Sequence, residues 1–233
     1  MNDIWQGVQE AISLIFSADA EVTRIVALSL AVSISALVLS SAIGIPLGVW
    51  LAFRRFASRR LAIAFLYTGM GFPPVVVGLV VFLLLSRSGP LGWSGWLYTP
   101  KAMVLAQVII AAPIIAGFTM VAVMAVNRNL RRQARSLGAN NLQVTIAVLQ
   151  EARVGMLVAV LAGFGRIVSE VGAVMIVGGN LKGSTQVLTT ATVQFTRMGH
   201  FEQSIAMGMI LLTLTFLTSL LWVLLQGGAL QES

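Results

Sequence analysis

The sequence predicts an all-α integral membrane protein with about five transmembrane helices, its N-terminus outside the cell and its C-terminus inside. Three observations lead to this prediction. The mean hydropathy is +0.92, and only 10% of the residues are charged, against about a quarter in soluble domains. The apolar residues form long runs that match the ~20 residues of a membrane-crossing helix. The basic residues gather in alternate connections between those runs.

The N-terminal segment, residues 1–21, is predicted to be an amphipathic helix at the membrane interface. Its apolar residues recur at helical spacing from Ile4 to Ile15. Acidic Asp3 and Glu10 stand where a signal peptide would carry basic residues, and the segment lacks a continuous apolar stretch. We therefore expect it to lie on the membrane and not to act as a signal.

Five apolar runs are each long enough to cross the hydrocarbon core as a helix. The first run is long for a single crossing, so we expect it to tilt or to extend beyond the bilayer. The runs cover residues 22–53, 61–86, 102–126, 155–177 and 204–225.

The distribution of basic residues predicts the orientation of these spans. Cytoplasmic loops of membrane proteins carry the excess of Lys and Arg, and here the connections on one side hold most of them. The formal net charge of +7 falls on that side, which predicts that it faces the cytoplasm. The same bias explains the basic pI without a nucleic-acid partner. The arginines are Arg54, Arg55, Arg59, Arg60, Arg128, Arg131, Arg132, Arg135 and Arg153.

The outer-face loop, residues 178–203, is too polar to cross the membrane, and we expect a short helix on the outer surface there. Its GGNLKGST stretch resembles a phosphate-binding loop only superficially, because Lys182 precedes Gly183 and the required spacing is missing. The sole histidine, His200, has no Asp, Glu or His at metal-ligand spacing, and the chain has no cysteine. The sequence therefore predicts no metal site and no catalytic residue.

Arg166 and Glu170 are charged residues inside the fourth run, four positions apart on one predicted helical face. A lone charge at the centre of a membrane helix costs about 3 kcal/mol. The two residues therefore either neutralise each other as a structural ion pair, or Arg166 faces a translocation pathway and attracts an anion. The sequence leaves both interpretations open.

Prolines and glycines mark candidate irregularities at membrane depth. Pro73, Pro74 and Pro113 each remove a backbone donor, and Gly44 with Pro46 can loosen the first run. Such breaks often lie near a transport pathway or its hinges. Tolerated kinks are the equally weighted alternative.

The polar loop, residues 127–154, is the most polar region in the middle of the chain. Two sets of apolar residues at helical spacing predict two short amphipathic helices broken at Gly138. Such a bend on the cytoplasmic face forms a docking element for a soluble partner. The two sets are Leu130, Ala134 and Leu137, and Leu142, Ile146 and Leu149.

Within the polar loop, the stretch RQARSLGAN resembles the EAA loop of ABC importer permeases. Arg132, Gln133 and Ala134 stand at the Glu-Ala-Ala positions and Gly138 at the glycine of that pattern. Arg132 replaces the glutamate, and Gln150-Glu151 replaces the usual Leu-Pro. Most of the remaining chain, including VGAVMIVGGNLKG followed by LTTA, is similar to permeases for molybdate and, in particular, tungstate.

This resemblance implies a single permease domain over residues 1–233 in a prokaryotic cell membrane. It implies a homodimer, two ATP-binding ATPase subunits and an extracytoplasmic oxyanion-binding protein as partners. The chain would bind no cofactor and would not be an enzyme, because the ATPase binds ATP and Mg. The substrate is expected to be tungstate, with molybdate or sulfate as the alternatives. The coupling residues would be Arg132, Gln133, Ala134, Leu137, Gly138, Ala139 and Leu142.

The same sequence argues against two other classes of function. An intramembrane enzyme needs a polar catalytic constellation at depth, and Arg166 and Glu170 alone are too few. An ion-coupled secondary transporter usually shows inverted repeats and several intramembrane acids. Five spans and one buried acid do not match that pattern.

Overall fold

The computed structural model describes residues 20–226, together with Gln9 and Ser13. Within these residues every regular element is helical, as the sequence predicts. The predicted interfacial segment, residues 1–21, lies almost wholly outside the described residues. The chain order of the helices is α1 (Ala20–Phe53), α2 (Arg59–Met70), α3 (Pro74–Leu85), α4 (Pro100–Ala125), α5 (Arg128–Ser136), α6 (Asn141–Glu151), α7 (Arg153–Val168), α8 (Gly172–Gly178), α9 (Leu188–Arg197) and α10 (Phe201–Gln226).

Three helices are long and apolar enough to cross a membrane alone, namely α1, α4 and α10. Two further spans are possible if each bent pair counts as one crossing: α2 with α3, bent by 98°, and α6 with α7, bent by 63°. The described residues thus hold three to five candidate spans, in agreement with the prediction of about five.

The fourth predicted span, residues 155–177, is not one helix. Helix α7 ends at Val168, and the short helix α8 begins only at Gly172. The apolar composition continues across this interruption, so a hydropathy pattern does not reveal it. The expectation that Arg166 and Glu170 share one helical face is therefore wrong, because Glu170 lies outside both helices.

Two prolines explain the sharp bend between α2 and α3. Pro73 precedes the first residue of α3 with extended backbone, and Pro74 is that first residue. Proline disfavours helical backbone at the residue before it, which here ends the continuation of α2. Pro46 and Pro113, in contrast, lie inside helices that continue past them, α1 and α4. The predicted break is therefore present at Pro73 and Pro74 and absent at Pro113.

Helix α4 lies at the centre of the bundle and packs against α1, α2, α3, α7 and α8. Its contact with α1 depends on two glycines. A Cβ atom added at Gly44 would lie 2.8 Å from the carbonyl oxygen of Ala112, and one added at Gly48 would lie 2.8 Å from Cβ of Thr119. Gly44 therefore allows close packing of two helices and does not loosen α1, which is continuous there.

Large apolar side chains on the outer helices are exposed, as expected where lipid covers the surface. Phe65 on α2 is 68% exposed, and Leu212 and Phe216 on α10 are 70% and 65% exposed. A water-soluble domain rarely leaves such continuous apolar surface uncovered. The exposure pattern agrees with an integral membrane protein.

Candidate functional site

The polar loop folds into the two predicted helices, α5 and α6, and each begins with a side-chain cap. The side chain of Asn127 accepts a hydrogen bond from the backbone N–H of Asn129 at 2.9 Å. Asn140 and Gln143 form a reciprocal capping box, with bonds of 2.9 and 2.8 Å. Because capping satisfies N–H groups that the helix itself leaves free, these residues define where each helix starts. The prediction of two short helices is confirmed.

The bend between α5 and α6 occurs at Gly138, as predicted, with φ of +85°. The Ala139 N–H donates to the Ala134 carbonyl at 3.0 Å and closes the turn. A Cβ atom added at Gly138 would meet nothing within 4 Å. The glycine is therefore required by backbone conformation, since residues with a Cβ rarely adopt positive φ, and not by lack of space.

Two leucines beside this bend are apolar and unusually exposed. Leu137 is 88% exposed and Leu142 is 68% exposed. Arg132 and Gln133 are also exposed, whereas Ala134 and Ala139 are half-buried. The loop thus presents two leucines on a tightly turned polar hairpin. Neither leucine lies in a helix that is long and apolar enough to span a membrane alone, and exposed apolar side chains at such a place are typical of a protein–protein contact.

The opposite side of the polar loop is attached to the bundle. Val148 on α6 is fully buried and packs with Val123, Val126 and Ala152 in one apolar cluster. Phe53, at the end of α1, contacts the same cluster. A force applied to α5 and α6 would therefore reach the ends of α1 and α4 directly.

Glu170 lies at the break between α7 and α8 and is 5% exposed. Its Oε1 atom accepts a hydrogen bond from the Ala173 N–H at 2.9 Å, which caps the start of α8. Arg166 is half-buried near the end of α7, and the two side chains form no ion pair. The structure therefore assigns the Glu170 carboxylate a backbone partner in place of the arginine.

A small cavity of about 30 Å³ adjoins Glu170, enough for about one water molecule. Ser29 and Ser33 on α1, Gln107 on α4 and Thr189 on α9 line it together with Glu170. This group of polar side chains joins four parts of the bundle at one buried point.

Gln107 is a member of this group that the sequence analysis did not single out. It is 4% exposed, its Nε2 donates to the Ile167 carbonyl at 3.4 Å, and its Oε1 has no partner among the described residues. The signal that could have identified it is a lone amide side chain inside the otherwise apolar run of α4. A buried amide with an unused acceptor is costly and thus worth a functional hypothesis.

The outer-face loop contains the predicted short helix, α9, but this helix is not simply lying on the surface. Its first residues, from Leu188 to Ala191, are buried, and the Leu188 N–H donates to the Ser29 hydroxyl at 2.8 Å. Thr189 donates to the Glu170 carbonyl at 3.2 Å. Helix α9 is therefore fixed to both α1 and the α7–α8 break.

Comparison with known proteins shows the relationships of the chain. The family described as the inner membrane component of binding-protein-dependent transport systems matches residues 44–228. The tungstate uptake system permease protein TupB of Peptoclostridium acidaminophilum is 41% identical over 216 residues, which are 93% of this chain and 95% of that relative. A probable anion ABC transporter permease protein of Haloferax volcanii is 46% identical over 82% of this chain and 84% of its own length.

A more distant relative carries a different substrate name. The molybdenum transport system permease protein ModB of Haemophilus influenzae is 26% identical over 187 residues, 77% of this chain and 82% of that relative. Identity to this molybdenum permease is therefore lower than to the tungstate permease, and it covers a smaller part of the sequence.

Proposed function

This chain belongs to the family of inner membrane components of binding-protein-dependent transport systems, and from that membership we propose that it is the permease subunit of an ATP-driven tungstate importer. The substrate is supported by the relative named for tungstate uptake, which matches nearly the whole chain. Tungstate, molybdate and sulfate are similar tetrahedral dianions. Molybdate is the second candidate, because the ModB relative also aligns over most of the chain.

We propose further that the polar loop transmits the action of a separate ATPase to the membrane spans. The single observation that carries this proposal is the pair of exposed leucines, Leu137 and Leu142, at the positive-φ bend of Gly138. The leucines would enter an apolar groove of the ATPase, and Gly138 would permit the close turn. The burial of Val148 against Val123 and Ala152 would pass the movement to α4 and α7.

In this proposal two copies of the chain enclose one pathway, and an extracytoplasmic binding protein delivers the oxyanion. The arginine-rich end of the spans faces the cytoplasm and two ATPase subunits, in accordance with the positive-inside rule. ATP hydrolysis belongs to the partner, which binds ATP and Mg. The permease chain supplies the route and binds no cofactor of its own.

Which residues line the transport pathway or act as its hinges remains a prediction. Arg166 makes no ion pair with any residue that the structure describes, so its charge stays available to attract an anion. The 98° bend at Pro73 and Pro74 is the best candidate for a hinge. Pro113 is a weaker candidate, because α4 continues past it.

Co-purification tests the coupling proposal. An affinity-tagged chain, extracted from its own cells in mild detergent, should bring down an ATP-binding subunit in a ratio of one to one, detected by mass spectrometry. A chain that purifies without any ATPase, while keeping its folded elution profile on size exclusion, would contradict the proposal.

A further inference from the structure

Five arginines surround a cavity of about 210 Å³ where α1 and α4 end. Apolar Phe53 and Met124 form part of the same wall. The cavity is far larger than the ~30 Å³ that one water molecule occupies in the liquid. The five are Arg54, Arg55, Arg59, Arg128 and Arg131; we call this feature the arginine cavity.

Two of these arginines are held in place by contacts with the helix ends. The Arg131 guanidinium lies 4.5 Å from the centroid of the Phe53 ring, and its Nη2 donates to the Val123 carbonyl at 3.3 Å. Arg59 donates from Nε to the Leu51 carbonyl at 3.0 Å. The backbone and an aromatic ring therefore hold Arg59 and Arg131 at the cavity, whereas Arg54, Arg55 and Arg128 are exposed.

No negative charge among the described residues balances this cluster. None of the five arginines forms an ion pair with a described residue, and no described acidic side chain lines the arginine cavity. The Nε atom of Arg131 is buried and has no hydrogen-bond partner in the part of the chain that the structure describes. Burial, followed by the charges of Arg128 and Arg135, lowers the pKa of Arg131 below its ordinary value. Gathering like charges in this way costs free energy that a bound anion would offset.

The positive-inside rule does not account for this arrangement. That rule needs basic residues on one side of the membrane and is served equally well by exposed arginines such as Arg60 and Arg132. It does not require side chains from two separate connections, residues 54–59 and 128–131, to meet around one cavity.

We propose that the arginine cavity binds one tetrahedral oxyanion group of the phosphate type. The planar guanidinium fork matches the oxygens of such a group and can bind them in pairs. The cavity lies where the apolar parts of α1 and α4 end, and the ends of membrane-crossing helices are expected at the depth of lipid headgroups. The group can therefore come from an anionic phospholipid or from a free anion in solution. This site is separate from the transport function proposed above and does not depend on it.

The lipid source is tested with the full-length chain in nanodiscs made of equal parts of phosphatidylcholine and phosphatidylglycerol. After detergent extraction, native mass spectrometry counts the phosphatidylglycerol molecules that stay bound. Wild-type protein should retain this lipid in preference to phosphatidylcholine. The R59Q/R131Q double variant should reduce that retention about tenfold.

The free-anion source is tested in nanodiscs of phosphatidylcholine alone. Equilibrium dialysis with inorganic phosphate, and separately with tungstate, measures the binding of each anion to wild-type protein and to R59Q/R131Q. Binding that the double variant loses in the lipid arm alone identifies a phospholipid headgroup, and saturable binding that it loses in this arm identifies a free anion. Either result supports the site.

Arg60→Gln is the matched control, because Arg60 is adjacent to Arg59 in the chain but does not line the cavity. It should bind as the wild type does. Equal losses in Arg60→Gln and in R59Q/R131Q would indicate diffuse basic surface and overturn the proposal, as would an absence of binding in both arms. If the double variant fails to fold, the single variant Arg59→Gln replaces it, with circular dichroism confirming the helix content.

Discussion

The Oε1 atom of Glu170 accepts a hydrogen bond from the backbone N–H of Ala173 at 2.9 Å, at a position that is 5% exposed. Thr189 donates to the backbone carbonyl of the same glutamate at 3.2 Å. One buried residue thus connects the end of α7, the start of α8 and the first turn of α9. Arg166, which the four-residue spacing predicts as the partner of Glu170, takes no part in this arrangement.

Glu170→Ala should lower the free energy of unfolding by about 1–2 kcal/mol, because the buried Ala173 N–H loses its acceptor. Glu170→Gln should be milder, since its amide oxygen can still accept that bond. We expect Glu170→Gln to keep wild-type abundance in the membrane and uptake within about twofold of wild type. Immunoblots of membrane fractions and uptake assays on the same cells measure both quantities.

The matched pair of variants at this position separates a capping role from a charge in the pathway. Normal abundance with strongly reduced uptake in Glu170→Gln would place the negative charge itself in the pathway. Equal loss of abundance in both variants would show that the carboxylate has a further partner that an amide cannot replace.

Gly138→Val should abolish transport while leaving membrane insertion intact. The φ of +85° is strained for any side chain and most of all for a β-branched one, so the bend between α5 and α6 would change. Gly95→Val is the control, because Gly95 also has positive φ, +63°, and also has nothing within 4 Å of an added Cβ. Uptake in the Gly95 variant should stay above half of wild type. Wild-type uptake by Gly138→Val would refute the role of this bend.

Gly48→Ala should destabilise the contact between α1 and α4 by about 1–3 kcal/mol, since the added methyl group would press on Thr119. Gly208→Ala is the control in α10, where an added Cβ meets nothing within 4 Å. It should leave stability unchanged or raise it by up to about 1 kcal/mol. Thermal unfolding of the purified chains in detergent compares them. If the unfolding midpoints of Gly48→Ala and Gly208→Ala were equal, α1 and α4 would be able to move apart around the added methyl group at little cost.

Leu137→Ala should leave the stability of the isolated chain within about 0.5 kcal/mol of wild type, because Leu137 is 88% exposed. It should nevertheless reduce co-purification of the ATPase about tenfold, since a leucine buried in an interface contributes roughly 1.5–3 kcal/mol. Val148→Ala should instead act mainly on stability and only weakly on ATPase co-purification. It should cost about 2 kcal/mol of stability, as Val148 is fully buried. Unchanged ATPase recovery with Leu137→Ala would remove this leucine from the interface.

Much of the polar loop is predictable from sequence because its signals are local. The spacing of Leu130, Ala134 and Leu137 indicates one helix, and a glycine between two polar stretches indicates a bend. The caps at Asn127 and Asn140 follow the same local rules. The pair Pro73 and Pro74 likewise marks the break between α2 and α3 through a restriction on neighbouring backbone.

The break at Glu170 was not predictable in the same way. Residues 155–177 are apolar on both sides of the break. A run of apolar residues indicates that a segment can lie in the membrane, but it does not indicate whether the helix is continuous. The Glu170 carboxylate accepts a hydrogen bond from the backbone N–H of Ala173, three residues later in the chain. Helical spacing instead predicts Arg166, four residues earlier, as its partner. Gln107, Ser29 and Thr189 meet Glu170 only through tertiary packing, which no local spacing reveals.

Elemental mass spectrometry of tungsten and molybdenum in cells with and without this chain, grown on traces of both oxyanions, tests the central claim most directly. We expect cellular tungsten to fall when the chain is absent, molybdenum to stay unchanged, and a wild-type copy but not Gly138→Val to restore tungsten. A fall in molybdenum alone would contradict the tungstate assignment. Unchanged levels of both metals, in a strain without a second uptake route, would contradict oxyanion import altogether.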